Sequence, residues 1–247
     1  MSVYLKTGLI GWPVAHSMSP VIHELFMKEA GIRGKYFLFP VEPGNLSSRV
    51  TRLKHEGFTG LNVTIPYKKS VIHLCSSLSK DAEVSGAVNT LRFSSEEVLG
   101  FNTDISGFSA LSMGFPTPFL VIGKGGAAMA VLAAAGAENC RLISREKDTP
   151  VIRNGRTGTI VNATPLGWNN DDAFPIEIPP GWSFIDLNYN PRWLWRNSLS
   201  ERGVRVITGE RMLVEQAACS FALWTGYTPG EDLKAFAVQR IKAESHG

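Results

Sequence analysis

Short apolar runs and amphipathic stretches take turns along this chain. Residues 4–10 read as a strand closed by Gly11-Trp-Pro13, since glycine and proline both interrupt a ladder. Ser19-Pro20 then opens a helix, with serine as N-cap and proline in the first helical position. Val21, Ile22, Leu25 and Phe26 keep its apolar stripe, and Gly31 ends it. Residues 35–41 form a second strand, Leu46, Val50 and Leu53 mark a helix closing at Gly57, and residues 58–64 form a third strand. A short helix over 69–74 and a strand over 88–93 complete this part. The almost wholly apolar strand 119–122 begins a second unit, followed by a small-residue helix over 127–135 and strands at 141–143, 159–161, 183–187 and 204–207. Residues 194–199 lie in a helix, and from Met212 the chain is helical, with Leu213, Ala217, Phe221 and Trp224 on one stripe. Strands alternating with helices predict an α/β protein whose sheets are mostly parallel and covered on both faces.

Some positions break this pattern, and they point to chemistry. In Gly60-Leu-Asn-Val-Thr-Ile-Pro-Tyr-Lys68, Asn62 and Thr64 share a strand face that should be apolar if it were merely packed. Gly86-Ala-Val-Asn-Thr90 and Gly100-Phe-Asn-Thr-Asp104 repeat the arrangement, so Asn62, Asn89 and Asn102 are expected to share a pocket. Lys68 and Asp104 supply an ammonium and a carboxylate at its mouth, a pair suited to moving a proton. Ser17 and Ser19 precede a helix N-terminus, where a ligand carboxylate is well received. Ser19 has a capping duty there, and Ser17 has none. His16 and His23 lack partners at metal spacing and are expected to be structural.

The turn Gly123-Lys-Gly-Gly-Ala127 follows a strand and opens a helix. Its glycines let the backbone approach a pyrophosphate, and the helix N-terminus offers N–H donors. At the end of the next strand, Arg145 suits the 2′-phosphate of NADP, while Glu146 pulls toward NAD. Proton transfer beside a nucleotide predicts carbonyl/alcohol redox chemistry.

Composition narrows the setting. With 247 residues, 44% hydrophobic and 19% charged, the chain can bury one large core or two modest ones. A net charge of +3 with no run of five like charges argues against a nucleic-acid partner. Cys75, Cys140 and Cys219 are scattered without ligand spacing, so no metal is expected and the thiols are expected to be reduced. No leader-like or membrane-length apolar stretch is present, and a cytoplasmic protein with no membrane partner is expected.

Taken together, these segments resemble the shikimate dehydrogenase family. The resemblance rests on His16-Ser-x-Ser-Pro20, Asn62-Val-Thr-x-Pro-x-Lys68, Gly86-Ala-Val-Asn-Thr90 and Asn102-Thr-Asp104. Asn162-Ala-Thr-Pro-Leu-Gly167, Asp186 with Tyr189 and Pro191, and Met212-Leu-x-x-Gln216 with Phe221 and Trp224 continue it in collinear order. It implies reversible reduction of 3-dehydroshikimate to shikimate with NADPH. Residues 1–104 and 212–247 would bind substrate, and 105–211 would form a Rossmann-like NADP domain. By motif, Lys68 and Asp104 would be catalytic, with Ser17, Ser19, Thr64, Asn89, Tyr189 and Gln216 around the substrate. Gly123, Lys124, Gly125, Gly126, Ala127, Arg145, Thr164 and Gly209 would hold the cofactor. A monomer or homodimer is expected.

The chain departs from the family in one region. Ser144-Arg-Glu-Lys-Asp-Thr149 keeps one arginine of the adenosine clamp and loses the other. The interval 144–162 is also too short for the helix, strand and helix that complete a mononucleotide half, so a shortened cofactor domain lacking a strand–helix unit is expected. Two alternatives stay open: a relative acting on quinate or an aminoshikimate with NAD, and a ligand-binding regulator that no longer turns over.

Overall fold

A computed structural model describes residues 4–143, 157–167, 177–189 and 194–245. The elements run β1 (Leu5–Gly11), α1 (Ser19–Glu29), β2 (Gly34–Pro40), α2 (Leu46–His55), β3 (Gly60–Val63), a 3-10 turn (Ser70–Leu74), β4 (Ser77–Leu78), α3 (Lys80–Ser85), β5 (Thr90–Phe93), β6 (Val98–Phe101) and α4 (Asp104–Ser112). They continue as β7 (Phe119–Ile122), α5 (Gly126–Ala135), β8 (Cys140–Ile143), β9 (Thr159–Asn162), β10 (Ser183–Asp186), α6 (Leu194–Glu201), β11 (Arg205–Thr208), α7 (Glu210–Thr225) and α8 (Glu231–Ser245).

Two sheets result. The first has the order β2-β1-β3-β5-β6-β4. Its pairs β1/β2, β1/β3 and β4/β6 are parallel, and β3/β5 and β5/β6 are antiparallel. The connection from β5 to β6 is short and tied by Ser94, whose Oγ accepts the Glu97 N–H at 3.0 Å. A link of that length joins only antiparallel neighbours. Among the described residues the second sheet has five strands, all parallel, in the order β11-β10-β9-β7-β8.

Alternation along β1 divides the first core. Leu5 and Leu9 face α1, α7 and α8, packing with Phe26, Val214, Phe221 and Ile241. Ile10 faces the opposite side, with Val50, Leu53, Leu61 and Leu91. The stripe predicted on the last helices is therefore buried against the first sheet, far away in sequence. Helix α4 joins the two halves: Phe108 and Leu111 pack with Val121, Val131, Val161, Ile185 and Met212. It lies so close to α7 that a Cβ on Gly107 would stand 2.8 Å from the Met212 carbonyl oxygen.

Two local expectations are corrected. Met18, not Ser19, occupies the N-cap of α1, and no side chain caps that end. The Ser17 hydroxyl instead accepts the Ser19 N–H at 3.2 Å, so Ser17 does have a structural duty. The edge elements β4 and α3 had no counterpart in the sequence pattern, being too short to show a period.

Candidate active site

Lys68 leaves the turn that follows β3, where its carbonyl accepts the Val88 N–H at 2.7 Å. That bond aligns its side chain with the neighbouring strand end. Lys68 Nζ donates to Asp104 Oδ2 at 2.6 Å, and both side chains are largely buried. Asp104 is the first residue of α4, where the helix's exposed N–H groups favour a carboxylate. Its own N–H donates to Asn102 Oδ1 at 3.1 Å.

The second Asp104 oxygen belongs to Asn89. Asn89 Oδ1 accepts the Thr103 N–H at 2.8 Å, and a backbone N–H can only donate. The carboxamide therefore turns Nδ2 toward Asp104 Oδ1, 2.8 Å away. Asn102 does not join this group, contrary to expectation. Its Nδ2 donates to Ser85 Oγ at 2.7 Å and to the Ala87 carbonyl at 3.0 Å. Here the amide latches α3 to the strand end and has no donor left for a ligand.

These groups open onto a cavity of about 260 Å³. Of the expected substrate residues, Ser17, Ser19, Thr64, Lys68, Asn89, Asp104, Tyr189 and Gln216 all line it. The two serine hydroxyls lie 3.1 Å apart. Tyr189 bonds with the Ser17 side chain and the Met18 backbone, and its burial pushes the phenol upward. Gln216 Nε2 donates to the Leu213 carbonyl at 2.8 Å, which leaves its Oε1 facing Asn89 at 3.4 Å. His23 is not a site residue. It is fully buried, stacked on Tyr36 at 4.4 Å, and burial lowers its pKa to about 3.

The opposite wall comes from the second sheet. Gly125, Gly126, Ala127, Thr164 and Gly209 line the cavity, whereas Gly123 and Lys124 do not. Gly123 shapes the turn instead: it has φ +126°, and a Cβ there would stand 2.9 Å from the Ala163 carbonyl oxygen. Open space surrounds Gly125, and no side chain caps α5, so first-turn N–H groups of that helix face an accessible backbone. A Cβ on Gly126 would come within 2.9 Å of Lys68 Cδ, so this turn touches the catalytic candidate directly. Arg145 lies outside the described residues.

Behind that wall is a buried polar cluster. Asp186 Oδ1 accepts from Asn162 Nδ2 and from the Asn188 N–H, each at 3.0 Å. Asn188 Nδ2 in turn donates to the carbonyls of Thr164 and Leu166. Burial raises the Asp186 pKa to about 7, with a smaller push from the Glu210 charge. Asn188 also lines the cavity and was missed in the sequence; its only signal was a polar residue just beyond the strand 183–187, which already carries Ser183 and Asp186. Met212 and Leu213 were missed as well, because an apolar residue on a helix looks like core.

Among the described residues there is no cluster able to hold a metal and no helix long and apolar enough to cross a membrane. The ammonium–carboxylate pair thus faces a glycine turn across a small cavity, in a chain that is similar to known proteins in sequence and in fold. Residues 9–91 match the shikimate dehydrogenase substrate binding domain, and residues 209–232 match the shikimate 5'-dehydrogenase C-terminal domain. The shikimate dehydrogenase (NADP(+)) of Methanopyrus kandleri is 36% identical, over 95% of this chain and 95% of its own. Among solved structures, the shikimate dehydrogenase of Aquifex aeolicus has a TM-score of 0.86 at 28% identity, covering 96% of this chain and 98% of its own. The shikimate 5-dehydrogenase of Thermus thermophilus, solved with NADP(H) and shikimate, has a TM-score of 0.80 at 31% identity, with 96% and 99% covered. Sequence identity and fold agree along nearly the whole length, and the chain belongs to the shikimate dehydrogenase family.

Proposed function

We propose that this protein catalyses the reversible NADPH-dependent reduction of 3-dehydroshikimate to shikimate. One observation carries the reading: Lys68 Nζ stands 2.6 Å from Asp104 Oδ2 in a cavity whose far wall is the glycine turn. When bound, the coenzyme supplies hydride chemistry at the ring carbonyl carbon. Gly125, Gly126 and Ala127 would receive its phosphates at the α5 N-terminus, with Thr164 and Gly209 beside the nicotinamide end. The absent Cβ at Gly125 fits that role, since nothing occupies the space it opens.

The remaining work falls to this chain's own side chains. As negative charge grows on the carbonyl oxygen, the Lys68 ammonium stabilises it and delivers a proton to it. Asp104 fixes the ammonium through Oδ2, and Asn89 holds Asp104 through Oδ1. Ser17, Ser19 and Tyr189 bind the substrate carboxylate, while Thr64, Asn89 and Gln216 meet ring hydroxyls. In the oxidation direction, neutral Lys68 removes the hydroxyl proton. On this reading, residues 1–104 and 212–247 bind substrate and 105–211 bind coenzyme.

Shikimate mixed with NADP, then with NAD, and quinate in place of shikimate, test the reading through the absorbance of the reduced nicotinamide. Shikimate with NADP should give the highest kcat/KM. Arg145 can pair with a 2′-phosphate, and such charge-assisted bonds imply about a ten- to hundredfold NADP preference. Turnover of quinate alone, or none at all, overturns the assignment; an outright preference for NAD overturns its coenzyme half.

A further inference from the structure

We propose that Thr90 and Ser220, neither of which reaches the cavity, are positioning residues that fix the orientation of Asn89 and through it Asp104. The inference rests on reading Lys68 and Asp104 as the proton-handling pair. Both hydroxyls are fully buried between β5 and α7, where an idle hydroxyl would be costly. Around them lies a dense set of bonds. Asn62 Nδ2 donates to Ser220 Oγ at 2.9 Å and to Thr90 Oγ1 at 3.0 Å, and Tyr36 Oη donates to Asn62 Oδ1 at 2.8 Å. Thr90 Oγ1 donates to Asn89 Oδ1 at 3.0 Å and lies 2.8 Å from Ser220 Oγ.

Proton bookkeeping gives this cluster a direction. The Tyr36 hydroxyl reaches Asn62 Oδ1 as a donor, which leaves the Asn62 amide protons for Ser220 and Thr90. Ser220 Oγ lies 2.8 Å from Thr90 Oγ1 and 3.0 Å from the Gln216 carbonyl, and its single proton serves the shorter contact, so Thr90 accepts from Ser220 as well as from Asn62. Thr90, receiving from Asn62, directs its single proton to Asn89 Oδ1. Asn89 Oδ1 is then filled by Thr90 and the Thr103 N–H, and Nδ2 is left facing Asp104. The chain of donation thus runs Tyr36, Asn62, Thr90, Asn89, Asp104, each bond polarising the next. Ser220 ties it to α7, the helix that also carries Gln216.

A purely packing role makes the opposite prediction from a hydrogen-bonding role, so two substitutions at one position decide. Thr90→Val keeps the shape and removes the hydroxyl, whereas Thr90→Ser keeps the hydroxyl and removes a methyl. The expected result is a kcat about tenfold lower in Thr90→Val, with the KM for shikimate within about twofold, and near-wild-type kcat in Thr90→Ser. Ser220→Ala should act like Thr90→Val, and the double variant should lose less than the product of the two singles. Independently of turnover, the Asn89 side-chain amide protons, followed by NMR, should exchange slowly in wild type and Thr90→Ser and fast in Thr90→Val. If Thr90→Val does not fold, Ser220→Ala carries both readouts. Equal loss in Thr90→Ser and Thr90→Val, or unchanged Asn89 exchange in the hydroxyl-free variant, overturns the proposal. A wild type inactive on shikimate would instead overturn the function, leaving the amide exchange to judge the positioning.

Discussion

The two sheets of this protein handle polarity in opposite ways. In the first, Asn62, Asn89, Thr90 and Thr103 are buried within or just past the strands and bonded to one another. In the second, β7 is wholly apolar, and the polar residues Asn162, Asp186 and Thr208 stand at the carboxyl ends of β9, β10 and β11. The first sheet places side-chain atoms and needs its amides held rigid. The second presents backbone, through a glycine turn and a helix end, and needs empty space. A substitution in one half should therefore act through proton geometry, and in the other through crowding.

The largest effect expected from this contrast is at Lys68. Lys68→Ala should lower kcat by about a hundredfold or more while the KM for shikimate changes little, because the ammonium matters as charge develops. A variant retaining a tenth of wild-type kcat would remove Lys68 from the proton step. Next comes the one place where the halves meet. Gly126→Ala puts a methyl within 2.9 Å of Lys68 Cδ, so steady-state kinetics should show kcat falling about tenfold. Gly125→Ala, in open space, should raise the coenzyme KM and spare kcat. Equal kcat in the two variants would mean that the turn does not support the lysine.

A smaller effect should appear in stability against pH. Burial places the Asp186 pKa at about 7 when folded, above its ordinary 3.8. Folding therefore favours the protonated acid. Its contribution is fully present below about pH 4 and is lost as pH rises through 7. Asp186→Asn stays neutral and can keep both accepted bonds, so its Tm relative to wild type should climb by roughly 10 °C between pH 4 and pH 8. Parallel melting curves across that range would place the raised acid elsewhere. Least affected should be Tyr189→Phe, which loses one hydroxyl bonded to Ser17. A rise of about threefold in the KM for shikimate with unchanged kcat is expected, and a fall in kcat would move Tyr189 into the chemistry.

Polar residues in an apolar pattern made Lys68, Asn89 and Asp104 legible before any coordinates, since packing alone gives no reason for them. Strand β7 was legible for the opposite reason, being apolar at every position. Asn102 was misread because a buried amide that latches backbone looks the same in sequence as one that faces a ligand. Thr90 and Ser220 left no signal, as hydroxyl residues are ordinary on strands and helices alike. The closeness of Gly126 to Lys68 was equally hidden, because it depends on how two distant segments dock.

One feature of the first core bears on how the protein is made. Leu5, Leu9, Ile22, Phe26 and Tyr36 are covered by Val214, Phe221, Trp224 and Ile241 from the last two helices. On a ribosome adding about 5–20 residues per second, the apolar face of β1 and α1 stands open for roughly ten seconds or more before its cover emerges. Throughout that interval Ser220 is absent too, so the amides behind Asp104 cannot settle. The apolar face of the first half thus waits for its cover until nearly the whole chain is translated, and a messenger truncated before Glu210 should yield an aggregation-prone sheet in place of a smaller enzyme.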